Sequence, residues 1–352
     1  ELGGDNKTAK CLLLAGVTAL LFVSLGGLGA VIMVAGIVLP VMMSVGVSAP
    51  AAGAVFLLGM SLGGAFNPMN WNLFITVLQK TGMSAQEAQA QLLAFVYPFA
   101  GVFAAVIVLF IVLNTRKGPS SFWAEPGWAD GMAEGGERPP GAAALLSPVI
   151  PIALILGFNI ASRVRGGEGY SFPINTALLI GVLYCLFTTG RGPNGYAQRL
   201  AKAVIEGFSA IAPVAGLIIG IGMVVHVVWD PVVGAYMEPL LERVMPRSAP
   251  AYVAVFAVMA PLALYRGPLN VWGMGIAVGS IMIGTGALPP VAVMCALYSV
   301  GMIQGVSDPT NTHNAWIAGF LGEDVNVFTR KTLGYTWGLA VIGLALAAFI
   351  YF

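Results

Sequence analysis

Charge is what this chain has least of. Only 9% of its 352 residues are Asp, Glu, Lys or Arg, against about a quarter in soluble domains, which excludes an ordinary soluble fold. The 16 basic and 15 acidic side chains leave a net charge of +1, so nothing offers nucleic acid a basic surface. His occurs twice and Cys three times. Cys11, Cys185 and Cys295 sit in separate apolar runs without CxxC or His spacing, which reads as buried thiols and excludes a zinc framework. There is no G-x-x-x-x-G-K-[ST] loop and no G-x-S-x-G elbow, so neither ATP-driven pumping nor lipase-like hydrolysis is indicated. The chain is not read as an enzyme, and no cofactor is expected beyond a coupling Na⁺ or H⁺. No cleavable signal peptide is visible.

What is abundant is apolar length. Hydrophobic residues make up 58% of the chain, mean hydropathy is +0.88, and there are 46 Gly and 22 Pro. Runs near the ~20 residues that cross a bilayer recur throughout. They fall at about 11–25, 28–46, 50–65 and 92–114, then 144–161, 173–189 and 204–229, and finally 251–265, 269–286, 290–306 and 332–352. The expected fold is an all-α polytopic protein of the cell membrane, multi-pass, in a bacterial inner membrane, with the lipid bilayer as its solvent. Gly216-x-x-x-Gly220-x-Gly222 reads as a face for close helix contact. The polar stretch after Asn114, rich in Gly and Pro and carrying Trp123 and Trp128, reads as a cytoplasmic linker over 116–143.

Two polar interruptions stand out. Ser307-Asp308-Pro309-Thr310-Asn311-Thr312-His313-Asn314 lies between apolar runs, and Phe66-Asn67-Pro68-Met69-Asn70-Trp71-Asn72 repeats its (Asn or Asp)-Pro-x-Asn pattern. Asn67 and Asp308 are 241 positions apart, as are Asn70 and Asn311. Proline removes a donor and disfavours helix at the residue before it, so a helix is expected to unwind at both sites. Gly46 and Gly286, Pro50 and Pro290, and Gly59-Met60 and Gly301-Met302 extend the match with single-residue gaps.

Lys7, Lys10, Arg116, Lys117, Arg191, Arg199, Lys202, Arg330 and Lys331 can all face the cytoplasm at once, leaving 81–91 outside. On that count the two repeats are inverted, each with a discontinuous helix or re-entrant hairpin. Residues 1–115 then form the first repeat, 144–247 the extra helices of the second, and 248–352 its counterpart of the first. The unequal halves, and an opening Glu1-Leu2-Gly3-Gly4 without Met, lead us to expect about a hundred further residues upstream.

Unwound backbone at membrane depth is tolerated only in protein or beside a watery cavity. Asn67, Asn70, Asn72, Ser307, Thr310, Asn311, Thr312 and Asn314 are therefore candidate substrate ligands. Arg266, in Tyr265-Arg266-Gly267-Pro268-Leu269-Asn270, suits a carboxylate, although a cytoplasmic turn would also place an Arg there. Asp308 and His313 are candidates for the coupling ion, with Na⁺ at Asp308 or a proton at either. His226, four residues before Asp230, reads as a helix-end pair.

At these residues the chain resembles the ion transporter superfamily, which holds the divalent-anion/sodium symporters and the citrate, gluconate and C4-dicarboxylate permeases. Thr310-Asn311-Thr312 is the nearest match to the Ser-Asn-Thr hairpin signature of the symporters, and Met69-Asn70-Trp71 stands in the first half. The resemblance implies an elevator mechanism, in which a scaffold holds a homodimer and a transport domain bearing both breaks moves. The expected activity is Na⁺- or H⁺-coupled symport of a small organic anion such as a di- or tricarboxylate or a sugar acid. A cation/proton antiporter and the membrane subunit of a binding-protein-dependent carrier are the alternatives.

Overall fold

A computed structural model describes residues 6–115, 143–147, 149–165, 173–189, 195–228 and 230–352. The described residues hold no strand. Five helices lead: α1 (Lys7–Phe22), α2 (Gly27–Ser44), α3 (Ala49–Ala65), α4 (Pro68–Gln79) and α5 (Ala85–Asn114). They are followed by α6 (Val149–Val164), α7 (Ile174–Thr189), α8 (Tyr196–Val228) and α9 (Pro231–Val244). The last group is α10 (Ala249–Met259), α11 (Ile276–Gly284), α12 (Pro290–Ser307), α13 (Thr312–Leu321) and α14 (Val325–Tyr351).

Among the described residues, five segments are long and apolar enough to cross a membrane: Gly27–Ser44, Ala85–Asn114, Ala249–Arg266, Pro290–Leu321 and Val325–Tyr351. The pair α3 and α4, bent by 43° at Asn67-Pro68, makes a sixth if taken as one span. Large apolar side chains such as Leu20, Phe187, Phe208 and Phe349 are exposed on outer faces, where lipid would meet them. This is a helical membrane protein.

Local signals explain where the helices stop and start. Gly46 just beyond α2 and Gly286 just beyond α11 are both left-handed, with φ of 81° and 65°. Each is the residue type that closes a helix without strain. Pro50 and Pro290 then open α3 and α12 within the first turn, where proline's missing N–H has no partner to lose. Elsewhere helices outrun their apolar cores. α5 begins at Ala85 rather than near residue 92, because the Ser84 Oγ accepts from the Glu87 N–H at 3.2 Å, the Ser-x-x-Glu pattern of an N-terminal cap. α14 begins at Val325, seven residues before its apolar run, because the Asp324 carboxylate accepts from the Asn326 N–H at 2.7 Å.

One apolar cluster joins α1–α5 to α10–α14. α12 runs through its centre, buried from Val291 to Val300, alongside α14 and against α3, α4 and α5. The helices from 144–247 attach at its flank through contacts of α7 with α2, α8 with α13, and α9 with α11. α1 crosses α3 closely. A Cβ built on Gly63 would lie 2.1 Å from the Ala19 carbonyl oxygen, and one on Gly59 2.8 Å from that of Ala15. At Gly216 and Gly220, by contrast, a Cβ would meet nothing within 4 Å. Close contact is therefore made at Gly59-x-x-x-Gly63 and not at Gly216 or Gly220, while the surroundings of Gly222 lie outside the described residues.

Candidate functional site

Each half of the fold carries a broken helix whose first polar residue reaches across to a second interruption. At Asn67-Pro68 the buried Asn67 amide donates through Nδ2 to the carbonyls of Phe22 (3.2 Å) and Leu25 (2.9 Å), between α1 and α2. At Asp308-Pro309 the fully buried carboxylate faces the interruption between α10 and α11. Its Oδ1 accepts from the Tyr265 N–H (2.9 Å), the Thr310 N–H (2.9 Å) and the Thr310 Oγ1 (2.7 Å), and its Oδ2 from the Asn270 Nδ2 (2.9 Å). The exchange of Asn for Asp follows from the partners. Carbonyls require a donor at 67, whereas N–H and amide groups require an acceptor at 308.

The loosened turns are stitched in the same way in both halves. Asn70 Nδ2 donates to the Gly64 carbonyl at 2.8 Å, six residues back. Asn311 Nδ2 donates to the Gln304 and Gly305 carbonyls at 3.0 and 3.4 Å, Gly305 also being six back. The next carbonyl is taken in each half by a side chain beyond the break: Ala65 by Trp71 Nε1 (2.8 Å) and Val306 by Asn314 Nδ2 (3.1 Å). These carbonyls would otherwise be unpaired at membrane depth. The two breaks also touch, because Tyr298 Oη donates to the Ala65 carbonyl at 3.0 Å and Gly305 lies against Ser61.

The α10–α11 interruption is strained. Tyr265 and Arg266 are consecutive left-handed residues with φ of 54° and 55°, at about 1–2 kcal/mol each. A Cβ on Gly267 would lie 2.1 Å from the Leu262 carbonyl oxygen, so only glycine fits the next position. Arg266 forms no ion pair at contact distance. Its Nη2 donates to the Thr310 carbonyl at 3.2 Å, and its charge lies within reach of that of Asp308.

All four interruptions border one cleft of about 880 Å³. Of the residues expected at the site, Asn67, Asn70, Asn72, Arg266, Asn311, Thr312 and His313 line it. Asp308, Thr310 and Asn314 stand behind that wall, bonded to one another and to Asn270. Ser307 faces away: its Oγ pairs with Thr332 Oγ1 (2.7 Å) and Thr336 Oγ1 (2.9 Å), and its carbonyl accepts from Thr329 Oγ1 (2.7 Å). It anchors α12 to α14. The His226 side chain lies outside the described residues, as do Arg116, Lys117, Arg191 and, except for Ala143, the 116–143 linker.

Three residues join the site that the sequence pattern did not single out. Asn270 carries the Asp308 Oδ2 and also donates to the Ala263 carbonyl at 2.8 Å. Gln304 and Tyr298 line the cleft. Asn270 follows the Gly-Pro by two residues and was legible as a polar group at a break. Gln304 pairs with Gly63 at the 241 spacing, so the repeat gave no signal for it.

Three buried polar atoms among the described residues have no partner: Arg266 Nε, Asn270 Oδ1 and Asn314 Oδ1. All belong to this site. Buried polar groups are seldom left unpaired, so these three atoms are open to a further partner, water included. The two amides bond to Asp308 through their nitrogens, one to its carboxylate and one to its carbonyl (2.9 Å each), so their free oxygens cannot be exchanged for nitrogens without losing those bonds. Two acceptor oxygens beside a carboxylate suit a hard cation, and a guanidinium N–H suits an anion. The described residues hold no cluster of three His, Cys, Asp or Glu that could grip a transition metal. Comparison with known proteins finds no matching protein family, no matching characterised protein and no matching solved structure.

Proposed function

We propose that the protein is a secondary transporter that carries a small organic anion together with a cation. The observation that supports this most is that two helix breaks, 241 residues apart and stitched by equivalent hydrogen bonds, border a single cleft with Arg266. Helix ends opened at membrane depth offer N–H donors and carbonyl acceptors to a bound solute. The anion lies against Arg266 and the remaining N–H of the Asn70 amide, with Asn67, Asn72, Asn311, Thr312 and His313 around it.

The coupling cation, Na⁺ or H⁺, belongs behind that wall, beside Asp308, where Asn270 Oδ1 and Asn314 Oδ1 are unpaired. The four donors on the Asp308 carboxylate leave it little capacity as a direct ligand, so its part is to supply negative potential. The two breaks, in contact through Tyr298 and Ala65, form one body that moves past the remaining helices in an elevator-like step, with a homodimer as the working assembly.

Uptake of labelled carboxylates into proteoliposomes, with and without a Na⁺ gradient, tests the reading. Accumulation that follows the cation gradient is the expected result. If no carboxylate moves and Na⁺ instead dissipates a pH gradient, the protein is a cation/proton antiporter.

A further inference from the structure

The cleft is much larger, and much less polar, than its anion-binding corner. A volume of about 880 Å³ lies towards the upper end of the ~300–1,000 Å³ that encloses drug-sized ligands, and a four-carbon diacid would leave most of it empty. Away from Arg266 the walls are built from groups such as Leu28, Met60, Phe74, Trp272 and Met302. Trp272 is 53% exposed, a broad apolar surface at the cleft. A second carboxylate placed along such walls would lose its water and find no hydrogen bonds.

Charge points the same way. Among the described residues no Asp or Glu lines the cleft, and the cations that do are Arg266 and, on the exposed turn beyond α4, Lys80. The positive charge of Arg266 is partly offset by Asp308 behind it. A dianion or trianion would enter undercompensated, whereas a single negative charge is matched.

We propose that the substrate is an amphipathic monocarboxylate, an acid with one carboxylate against Arg266 and an aromatic or branched apolar body along Trp272, Phe74 and Met302. This rests on the anion reading above and replaces the di- or tricarboxylate and sugar-acid expectation with a different class. The carboxylate exchanges its water for the Arg266 guanidinium, and the apolar body gains the burial that the walls offer.

Titration calorimetry on the purified full chain in detergent tests it with four probes: 4-phenylbutyrate, its neutral amide 4-phenylbutanamide, succinate and citrate. The acid is expected to bind at least about tenfold more tightly than either polyacid and than the amide, a factor within reach of one buried aromatic ring or one charged hydrogen bond. Trp272→Ala should weaken 4-phenylbutyrate about tenfold, and Arg266→Gln should bring acid and amide to the same affinity. Arg266-dependent binding of succinate or citrate that equals or exceeds that of 4-phenylbutyrate overturns the amphipathic substrate while leaving the anion reading in place. An unchanged affinity for 4-phenylbutyrate in Trp272→Ala also overturns it. Equal binding of acid and amide by the unaltered protein, or no binding of any carboxylate, overturns both.

Discussion

Asn67 and Asp308 occupy matching places in the two breaks, yet neither residue would serve in the other's position. Asn67→Asp would set a carboxylate against the carbonyls of Phe22 and Leu25. The loss of two buried bonds and the added repulsion are expected to lower stability by about 2–4 kcal/mol, read as a fall in melting temperature in detergent. Asp308→Asn would turn an NH₂ toward one of the four groups that now donate to the carboxylate. It should lower stability as well, by about 1–3 kcal/mol, and abolish any Na⁺-dependent rise in melting temperature. A variant that keeps the full Na⁺ response would remove Asp308 from the coupling site. The positions of these two residues were legible from the repeated (Asn or Asp)-Pro-x-Asn pattern. Their partners were not, because a hydrogen bond to a backbone carbonyl such as that of Phe22 leaves no trace in the identity of the accepting residue. Ser307 shows the same limit: a polar residue beside a break was equally compatible with the cleft and with the hydroxyls of α14, and only the helix register decides.

Between helices, composition located the spans and small residues set their distances. Gly63→Ala would press a methyl group into the Ala19 carbonyl, which is backbone and cannot rotate aside. We expect destabilisation of about 1–3 kcal/mol or displacement of α1, whereas Gly216→Ala, which meets open space, should leave stability within about 0.5 kcal/mol of the parent, with little change in melting temperature. Gly-x-x-x-Gly recurs along the apolar runs, at 59–63, 216–220, 275–279, 301–305 and 334–338, so the motif by itself did not say which pair makes the close contact. The informative signal was the pair of Ala15 and Ala19 on α1, spaced to meet Gly59 and Gly63 on α3. The helix starts at Ala85 and Val325 illustrate a related point. Apolarity marks the depth of the membrane, whereas Ser84 and Asp324 mark where hydrogen bonding begins, and the two boundaries need not coincide.

For the protein acting as one body, the contact between the two breaks is the decisive feature. A Cβ on Gly305 would lie 3.8 Å from the Ser61 Cβ, within the ~3.5–4.5 Å spanned by disulfides. Ser61→Cys combined with Gly305→Cys should therefore cross-link on oxidation. If the breaks travel together, uptake into proteoliposomes persists in the cross-linked protein. Inhibition on oxidation that a reductant reverses would mean instead that the breaks part during the cycle, and the elevator-like step would fail. The sequence indicated two breaks and one Arg, and the cleft they border came from tertiary contacts such as that of Tyr298 with Ala65, which no spacing rule anticipates.

The left-handed pair Tyr265 and Arg266 carries a mechanical implication. The conformational penalty of two such residues, about 2–4 kcal/mol together, is offset locally by the bonds that the Asp308 carboxylate receives, among them that from the Tyr265 N–H. The turn is thus a cocked spring with its catch on another helix. Any event that draws charge density away from that carboxylate, such as the arrival of a neighbouring cation, weakens the catch and lets the turn relax toward ordinary backbone angles. Because Arg266 is half of that turn, relaxation would also re-aim the guanidinium, so cation occupancy and anion grip would be geared together through a single peptide segment.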